Sequence, residues 1–330
     1  VSFCKALLGK ELAMTDTFER YRQVARRAVE YQLGYQGGDG AYIWDGYAVD
    51  AHHKQAYSWG LAGRLAEAHR LLDWVRRERL QPNGQLRDYA GDVYKHSWFF
   101  QGAHRLGRFD LSYPGIDFLV TCQAPCGGFP HFAGDRLLRS LATAWTGISA
   151  IYAGRMDVAQ RAAQCSISML EQQPHDDRFY YKMTRDGRLV VDDSDPDNLI
   201  DTAKPKQAYW EVGLPMMLMC RMFQVTGQTY FLDVASRLFE FKLRCFQDNY
   251  GWAGSGKSSL AAAIYYSITD DARARDAALR CPDFLAETQD PEGGRRDETE
   301  PDELLIYIDH AAEFSVWITE IVGILESKIP

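Results

Sequence analysis

FLVTCQAPCGGFPHF, Phe118–Phe132, decides how the whole chain is read. An apolar helical run ends in Gln123, the Gly127-Gly128 pair follows, and an aromatic comes next. The same phrase returns five more times. It is YQGGDGAYIW around Gln36, LQPNGQLRDY around Gln81, QQPHDDRFYY around Gln173, FQDNYGWAGSG around Gln247 and TQDPEGGRRDE around Gln289. The six glutamines are spaced by 45, 42, 50, 74 and 42 residues. Recurrence at this period marks a closed or stacked array of helical units.

Between the copies one order repeats: a Trp-rich helix, a short Gly turn, an amphipathic helix, then the Gln/Gly phrase. The rounds are His52–Ala62 with Leu65–Arg79, Lys95–Leu106 with Leu111–Cys122, Leu137–Ala153 with Asp157–Gln172, Gln207–Thr226 with Tyr230–Phe246, and Lys257–Ile268 with Ala274–Thr288. Gly63, Gly107, Gly154 and Gly227 follow the first helix of a pair, where a left-handed cap is favoured. Asp16–Leu33, with an Asp16-x-x-Glu19 capping signal, behaves as an outer helix without a partner. Glu303–Leu325 behaves as an inner helix without one. Pairing these two closes a ring of six hairpins. The expectation is an all-α, single-domain (α/α)6 toroid over residues 1–330. The long gap holds an insertion over 178–205. Arg178–Val191 alternates around Arg185-Asp186-Gly187, which predicts a β-hairpin, and such a hairpin on a toroid rim often lies over the mouth.

The composition is that of an ordinary globule. A net charge of −8 disfavours nucleic acid or an anionic membrane as partner. No apolar run is long enough to span a bilayer, and Val1–Leu8 is too short for a secretion signal. Seven scattered cysteines, including Cys122-x-x-x-Cys126, read as reduced structural residues in a cytoplasmic protein. Aromatics make up 13% of the chain, with 8 Trp, more than a core alone needs, so an aromatic-lined cavity is expected. Nothing in the sequence fixes an oligomeric state.

The repeated phrase, clearest in FLVTCQAPCGGF and FLAETQDPEGG, resembles the repeat of the squalene/oxidosqualene cyclase and protein prenyltransferase toroids. There an outer helix ends in Gln before a Gly-rich turn and an aromatic. The resemblance implies the fold, and a central cavity of a kind that often binds isoprenoids or polyenes. The catalytic motifs of those families are not matched. Asp192-Asp193-Ser194-Asp195 is not the Asp-x-Asp-Asp acid of the cyclases. No Asp-x-Cys pair accompanies Gly293–Asp297 and Asp309-His310, so no zinc site is expected. The same ring serves carbohydrate enzymes, and DRFYYKMTRDGRL resembles a strand-forming segment of glucuronyl hydrolases of that group. Fold does not decide among these.

Gly251–Ser258, GWAGSGKS, matches a phosphate-binding loop letter for letter. It lacks the preceding strand that such a loop requires, and Gly251 falls on the repeat's own glycine. It reads as another joint, with Ser255 and Lys257 opening an inner helix where an anion is favoured.

The candidate site comes from the inner-helix starts, which a toroid gathers at one end. Acid–base candidates are Asp50, His53, His96, Glu211, Asp309 and His310. His53 is preferred to its neighbour His52, since adjacent helical residues cannot both face the axis. Substrate-binding candidates are Trp44, Tyr57, Trp59, Trp98, Phe129, His131, Trp145, Tyr209 and Trp252. Lys54, Asp92, Lys204, Lys206, Asp302 and Glu313 belong to the same helix starts. The sequence predicts an enzyme with a small-molecule substrate and no cofactor. It would be a cyclase or isomerase of natural-product type, working on an isoprenoid- or polyketide-like molecule by acid–base chemistry. The alternatives are a carbohydrate hydrolase, lyase or epimerase, and a non-catalytic scaffold. Paired carboxylates held by Lys or Arg in a wet pocket would favour sugars; a dry pocket with one or two acids would favour the apolar cyclase.

Overall fold

The structure is a computed structural model that describes residues 2–42, 52–252, 254–295 and 304–329, with side chains from residue 16 onward. In chain order the helices are α1 (Ser2–Leu33), α2 (Gln55–Leu61), α3 (Leu65–Glu78), α4 (Val93–Arg105), α5 (Phe109–Cys122), α6 (Ser140–Tyr152), α7 (Met156–Glu171), α8 (Trp210–Thr226), α9 (Thr229–Arg244), α10 (Gly256–Thr269), α11 (Ala272–Thr288) and α12 (Leu304–Glu326). Twelve helices among the described residues match the twelve predicted, most of them with ends displaced by one to three residues.

The two layers differ in burial. Inner helix α6 buries every residue from Ser140 to Ala150. Outer helix α3 buries only Ala68, Leu71, Leu72, Trp74 and Val75, one stripe at helical spacing. The inner helices α2, α4, α6, α8, α10 and α12 pack in sequence, and α12 returns to α2. Outside them, α1 lies against α12, as the unpartnered first and last helices predicted. The turns predicted at Gly63, Gly107, Gly154 and Gly227 are left-handed, and Asp270 caps α10 in the same way.

The repeated phrase has a mechanical meaning. Gln123 Nε2 donates to Val158 O in the first turn of α7 and to Gly127 O. Gly127 has φ +96, and a Cβ there would lie 2.2 Å from Arg161 O. Only glycine lets this turn dock on the next outer helix. The last copy repeats the device across the ring's closure. Gln289 Nε2 donates to Val24 O of α1 and to Gly293 O, and a Cβ at Gly293 would meet Arg27 O at 2.3 Å. Gln36 donates likewise to Glu67 O of α3.

The insertion forms the predicted hairpin and adds partners to it. The Arg185-Asp186-Gly187 turn is present, closed by Thr184 N to Arg188 O at 2.8 Å. Its arms meet at Met183 opposite Leu189, with Val190 N donating to Lys182 O at 3.0 Å, and the first arm takes further partners. Strand β1 (Leu137–Arg139) pairs antiparallel with β3 (Lys182–Thr184), and β2 (Arg178–Tyr180) pairs with β4 (Leu199–Asp201). Burial explains the choice. Leu138 opposite Met183 and Phe179 opposite Ile200 are all buried, so each pairing covers apolar side chains that a free-standing hairpin would expose.

One buried charge in the outer wall sets a pH dependence. Lys242 is fully buried, its Nζ 4.5 and 4.7 Å from the ring centroids of Tyr209 and Tyr250 and 3.0 Å from Asn249 O. Burial lowers its pKa to about 7. Below about pH 7 the folded and unfolded chains both hold the proton, and the fold carries the full penalty. Between there and the ordinary lysine value only the unfolded chain binds it, so stability rises with pH across that window. Lys242→Met should therefore be about 2 kcal/mol more stable than the parent at pH 6, after the lost hydrogen bond is set against the relieved charge. The gain should shrink steadily toward pH 9. Urea unfolding at both pH values measures it, and a pH-independent difference would overturn the assignment.

Among the described residues no helix is long and apolar enough to cross a membrane.

Candidate functional site

The inner helices run parallel, because numbering rises together across their contacts. Lys54 meets Asp309 and Ser58 meets Ser315, while Ser97 meets Thr146 and Gln101 meets Ser149. Their N-terminal ends therefore gather at one mouth of the ring.

A charged network sits just inside it. Lys54 Nζ, at the head of α2, donates to Asp309 Oδ2 at 2.6 Å and to Glu313 Oε2 at 2.5 Å. Asp309 and Glu313 are four residues apart and so share a face of α12. Glu313 Oε1 accepts from Lys257 Nζ, at the head of α10, and from Trp317 Nε1 at 3.1 Å. The Lys54, Lys257 and Glu313 side chains are buried, whereas Asp309 is 20% exposed. Burial alone would raise the pKa of Glu313, but Lys257 and Lys54 outweigh it and hold the carboxyl well below its ordinary range. Burial opposes the charge on Lys54, yet Asp309 and Glu313 raise its pKa. Lys257 is lowered by burial, and Lys54's like charge adds to that. Lys54 lies 5.5 Å from the Trp98 ring; Lys257 lies 5.8 and 5.9 Å from those of Trp210 and Trp317.

His53 Nε2 stands 3.5 Å from Asp309 Oδ1, an oxygen with no hydrogen-bond partner among the described residues. His52 points away, its Nε2 3.0 Å from Asp88 Oδ2 and its ring against Tyr89 and Trp74. His310 is half-buried next to Phe314. Tyr94 is buried nearby. Burial, and then the negative charges of Glu313, Asp309 and Glu211, push its hydroxyl well above the ordinary value. Outside it His131 stacks on Tyr94, 27% exposed, and burial lowers its pKa. Trp210 and Trp252, both half-buried, stack at 6.2 Å beside Lys257.

Other candidates take structural tasks. His96 accepts from Leu86 N at 2.8 Å through Nε2, and its Nδ1 lies on Asp92 O. Both nitrogens are committed to the main chain, and burial lowers its pKa to about 4. Glu211 is fully buried and accepts from Arg139 Nε at 2.6 Å and Leu141 N at 2.7 Å. Burial raises its pKa, and Arg139 opposes that. Arg139 also grips Asp197, tying the insertion to the rim.

Among the described residues the expected aromatic lining is closed at its centre. Trp98, Trp145 and Trp317 meet on the axis with centroids 4.4, 5.0 and 5.8 Å apart, and their exposures are 0, 2 and 0%. They plug the ring and form a floor beneath the charged network. Trp59, Phe129 and Tyr209 likewise expose no surface. Tyr57 bonds Glu320 and Arg105, about 10 Å further down α12 from Glu313. The lysine of GWAGSGKS is committed to Glu313. Trp44, Asp50 and Asp302 lie outside the described residues.

Sequence reasoning noticed Lys54, Lys257 and Glu313 but did not join them. The signal was present, since two acids four residues apart on an apolar helix require buried cations.

No family model matches the chain, and no curated protein aligns with it significantly. Solved structures do share its shape. The GH76A α-1,6-mannanase from Salegentibacter sp. HEL1_6 superposes with a TM-score of 0.63 at 13% identity, over 92% of this chain and 99% of that one. The type II terpene cyclase MstE from Scytonema superposes at 0.58 and 14% identity, over 94% and 99%. A D-mannose isomerase superposes at 0.59 and 13% identity, over 88% and 96%. At these identities the likeness shows the fold, an α/α toroid, as the sequence predicted.

Proposed function

We propose that the chain is a proton-transfer enzyme, an isomerase or epimerase, acting on a small hydroxylated carbonyl compound of the sugar class. Asp309 carries the reading. Lys54 fixes one of its oxygens. The other is itself buried, has no hydrogen-bond partner among the described residues and faces His53 at 3.5 Å, on a side chain that is 20% exposed. A carboxylate so held can take a proton from carbon next to a carbonyl. His53 stands where it can relay or return that proton, and the buried lysines supply positive field for an enediolate. The stacked Trp210 and Trp252 offer a flat face to a sugar ring.

Hydrolysis is less well supported. A glycosidase needs one carboxyl kept protonated, whereas Glu313 is held ionised by two ammonium groups and Asp309 is bonded to one. The apolar cyclase expected from the sequence is also less well supported, because the described aromatic side chains Trp98, Trp145 and Trp317 pack on each other. Among the neighbours of like shape, the D-mannose isomerase supplies an analogy of fold to the favoured chemistry.

The test is solvent exchange. In D2O, with a panel of free aldoses, ketoses and N-acylated amino sugars, proton NMR should show loss of one carbon-bound hydrogen next to the carbonyl of one panel member. Absence of exchange across the panel, together with turnover of a polyene substrate, would sink the proposal.

A further inference from the structure

Tyr94 is the second residue of α4 and stands in the layer of the charged network. The head of α4 is fixed twice. Asp92 caps it by accepting from Lys95 N at 2.9 Å, and Val93 N donates to His131 O at 2.9 Å. Trp98, one turn further on, belongs to the tryptophan floor and has Lys54 Nζ 5.5 Å from its ring. Residues four apart share a helix face, so Tyr94 rises over Trp98 on the axial side of α4, about 6 Å nearer the mouth. Glu313 holds the equivalent place on α12, four residues before Trp317 of the same floor.

The Tyr94 hydroxyl is buried, in a residue 9% exposed, and it makes no hydrogen bond among the described residues. The indole N–H of Trp98, which is turned toward it, makes none either. A buried hydroxyl without a partner costs free energy that phenylalanine at the same place would not. The unbonded oxygen of Asp309 is its complement, since one layer holds an open acceptor on α12 and an open donor on α4. His131 stacks on the Tyr94 ring at 6.1 Å and 29° and covers it on the outside.

We propose that Tyr94 is a further catalytic residue, whose O–H donates a hydrogen bond to the substrate's carbonyl oxygen while Asp309 takes the proton from the neighbouring carbon. The inference rests on the proton-transfer reading of the mouth. In this step the C–H electron pair becomes the C=C bond of the enediolate, the proton goes to Asp309 Oδ1, and the carbonyl π pair withdraws onto oxygen, where the Tyr94 donor meets the charge. Return of the proton to that carbon, from either face, restores the carbonyl, and no co-reactant is consumed. The surroundings suit a donor. Burial, and then the carboxylates of Glu313, Asp309 and Glu211, hold the hydroxyl well above the ordinary tyrosine value. Tyr94 therefore keeps its proton and does not compete with Asp309 as a base.

Tyr94→Phe in the full chain should lose about 10²–10³-fold in kcat on the panel sugar that exchanges in D2O, the range for one donor removed from a developing oxyanion, with little change in KM. Its urea midpoint should equal or exceed the parent's, because no hydrogen bond is removed. Binding gives a readout that a packing role would not move. The hydroxamate analogue of that sugar's enediolate should bind the variant about tenfold or more weakly than the parent, while the matching alditol binds both alike. Exchange by Tyr94→Phe at the parent's rate, beside an inactive Asp309→Asn, overturns this inference and leaves the chemistry of the mouth standing. A lowered midpoint, or equal weakening of hydroxamate and alditol, makes Tyr94 a packing residue and overturns it as well. Absence of exchange by the parent across the whole panel defeats both readings.

Discussion

Glu313→Gln is expected to destabilise the fold by about 3–5 kcal/mol, the range for removing one partner of a buried ion pair. Two ammonium groups, those of Lys54 and Lys257, converge on this carboxylate inside the ring. Asp309 still serves Lys54 after the change, but Lys257 loses its only recorded carboxylate contact among the described residues. A glutamine can offer its oxygen to one ammonium only by turning its own N–H groups toward the other. The double variant Glu313→Gln, Lys257→Met should recover a large part of the loss, because it removes the stranded charge along with its partner. The pH dependence follows from the direction of the shift. Glu313 is held below its unfolded value, so its contribution is complete above the ordinary glutamate pKa and fades as pH falls below it. Urea unfolding at pH 7 and pH 4 should therefore show the parent losing more stability on acidification than the variant. Equal midpoints at pH 7 would mean that the network contributes nothing.

Asp309→Asn should lower solvent exchange and turnover by about 10²–10⁴-fold, the usual contribution of a positioned general base. The change in stability should stay near 1 kcal/mol, because the residue is partly solvated and Lys54 keeps Glu313. The amide is nearly isosteric and still accepts from Lys54, so the loss isolates the charge and the basic oxygen. A matched loss in kcat and kcat/KM would place the effect in the transition state; a rise in KM alone would make Asp309 a binding group. Full activity in this variant would move the chemistry elsewhere.

The ring was legible because its joints are local. Gln123, Gly127 and the helices beside them form a self-contained phrase, and its copies announce the repeat. The two-residue period at 178–184 announced strands. It could not name their partners, since Phe179 meets Ile200 and Leu138 meets Met183 only once distant segments have met. The aromatic inner helices were equally ambiguous. A lined cavity and a filled axis both call for tryptophan at inward positions, and only the distances among Trp98, Trp145 and Trp317 separate them. The charged network was hidden for a related reason. Lys54 and Glu313 are 259 residues apart. Periodicity places each on an inner helix but does not fix the rotation that turns it toward the axis.

The contact of α1 with α12 has a consequence for how this protein is made. The five sequential hairpins, α2–α3 to α10–α11, and the seams between them can form while the chain is still partial. The sixth spans the chain from end to end, with Arg22 on Glu326 and Gln289 on Val24, so it must wait for nearly all of it and is entropically the most demanding to close. The acid–base candidates straddle the adjoining contact of α12 with the head of α2, Lys54 and His53 on one side, Asp309 and Glu313 on the other. An open ring, however well formed its hairpins, has half a site. The appearance of catalysis during refolding would therefore time the last step of assembly, behind the recovery of helical signal.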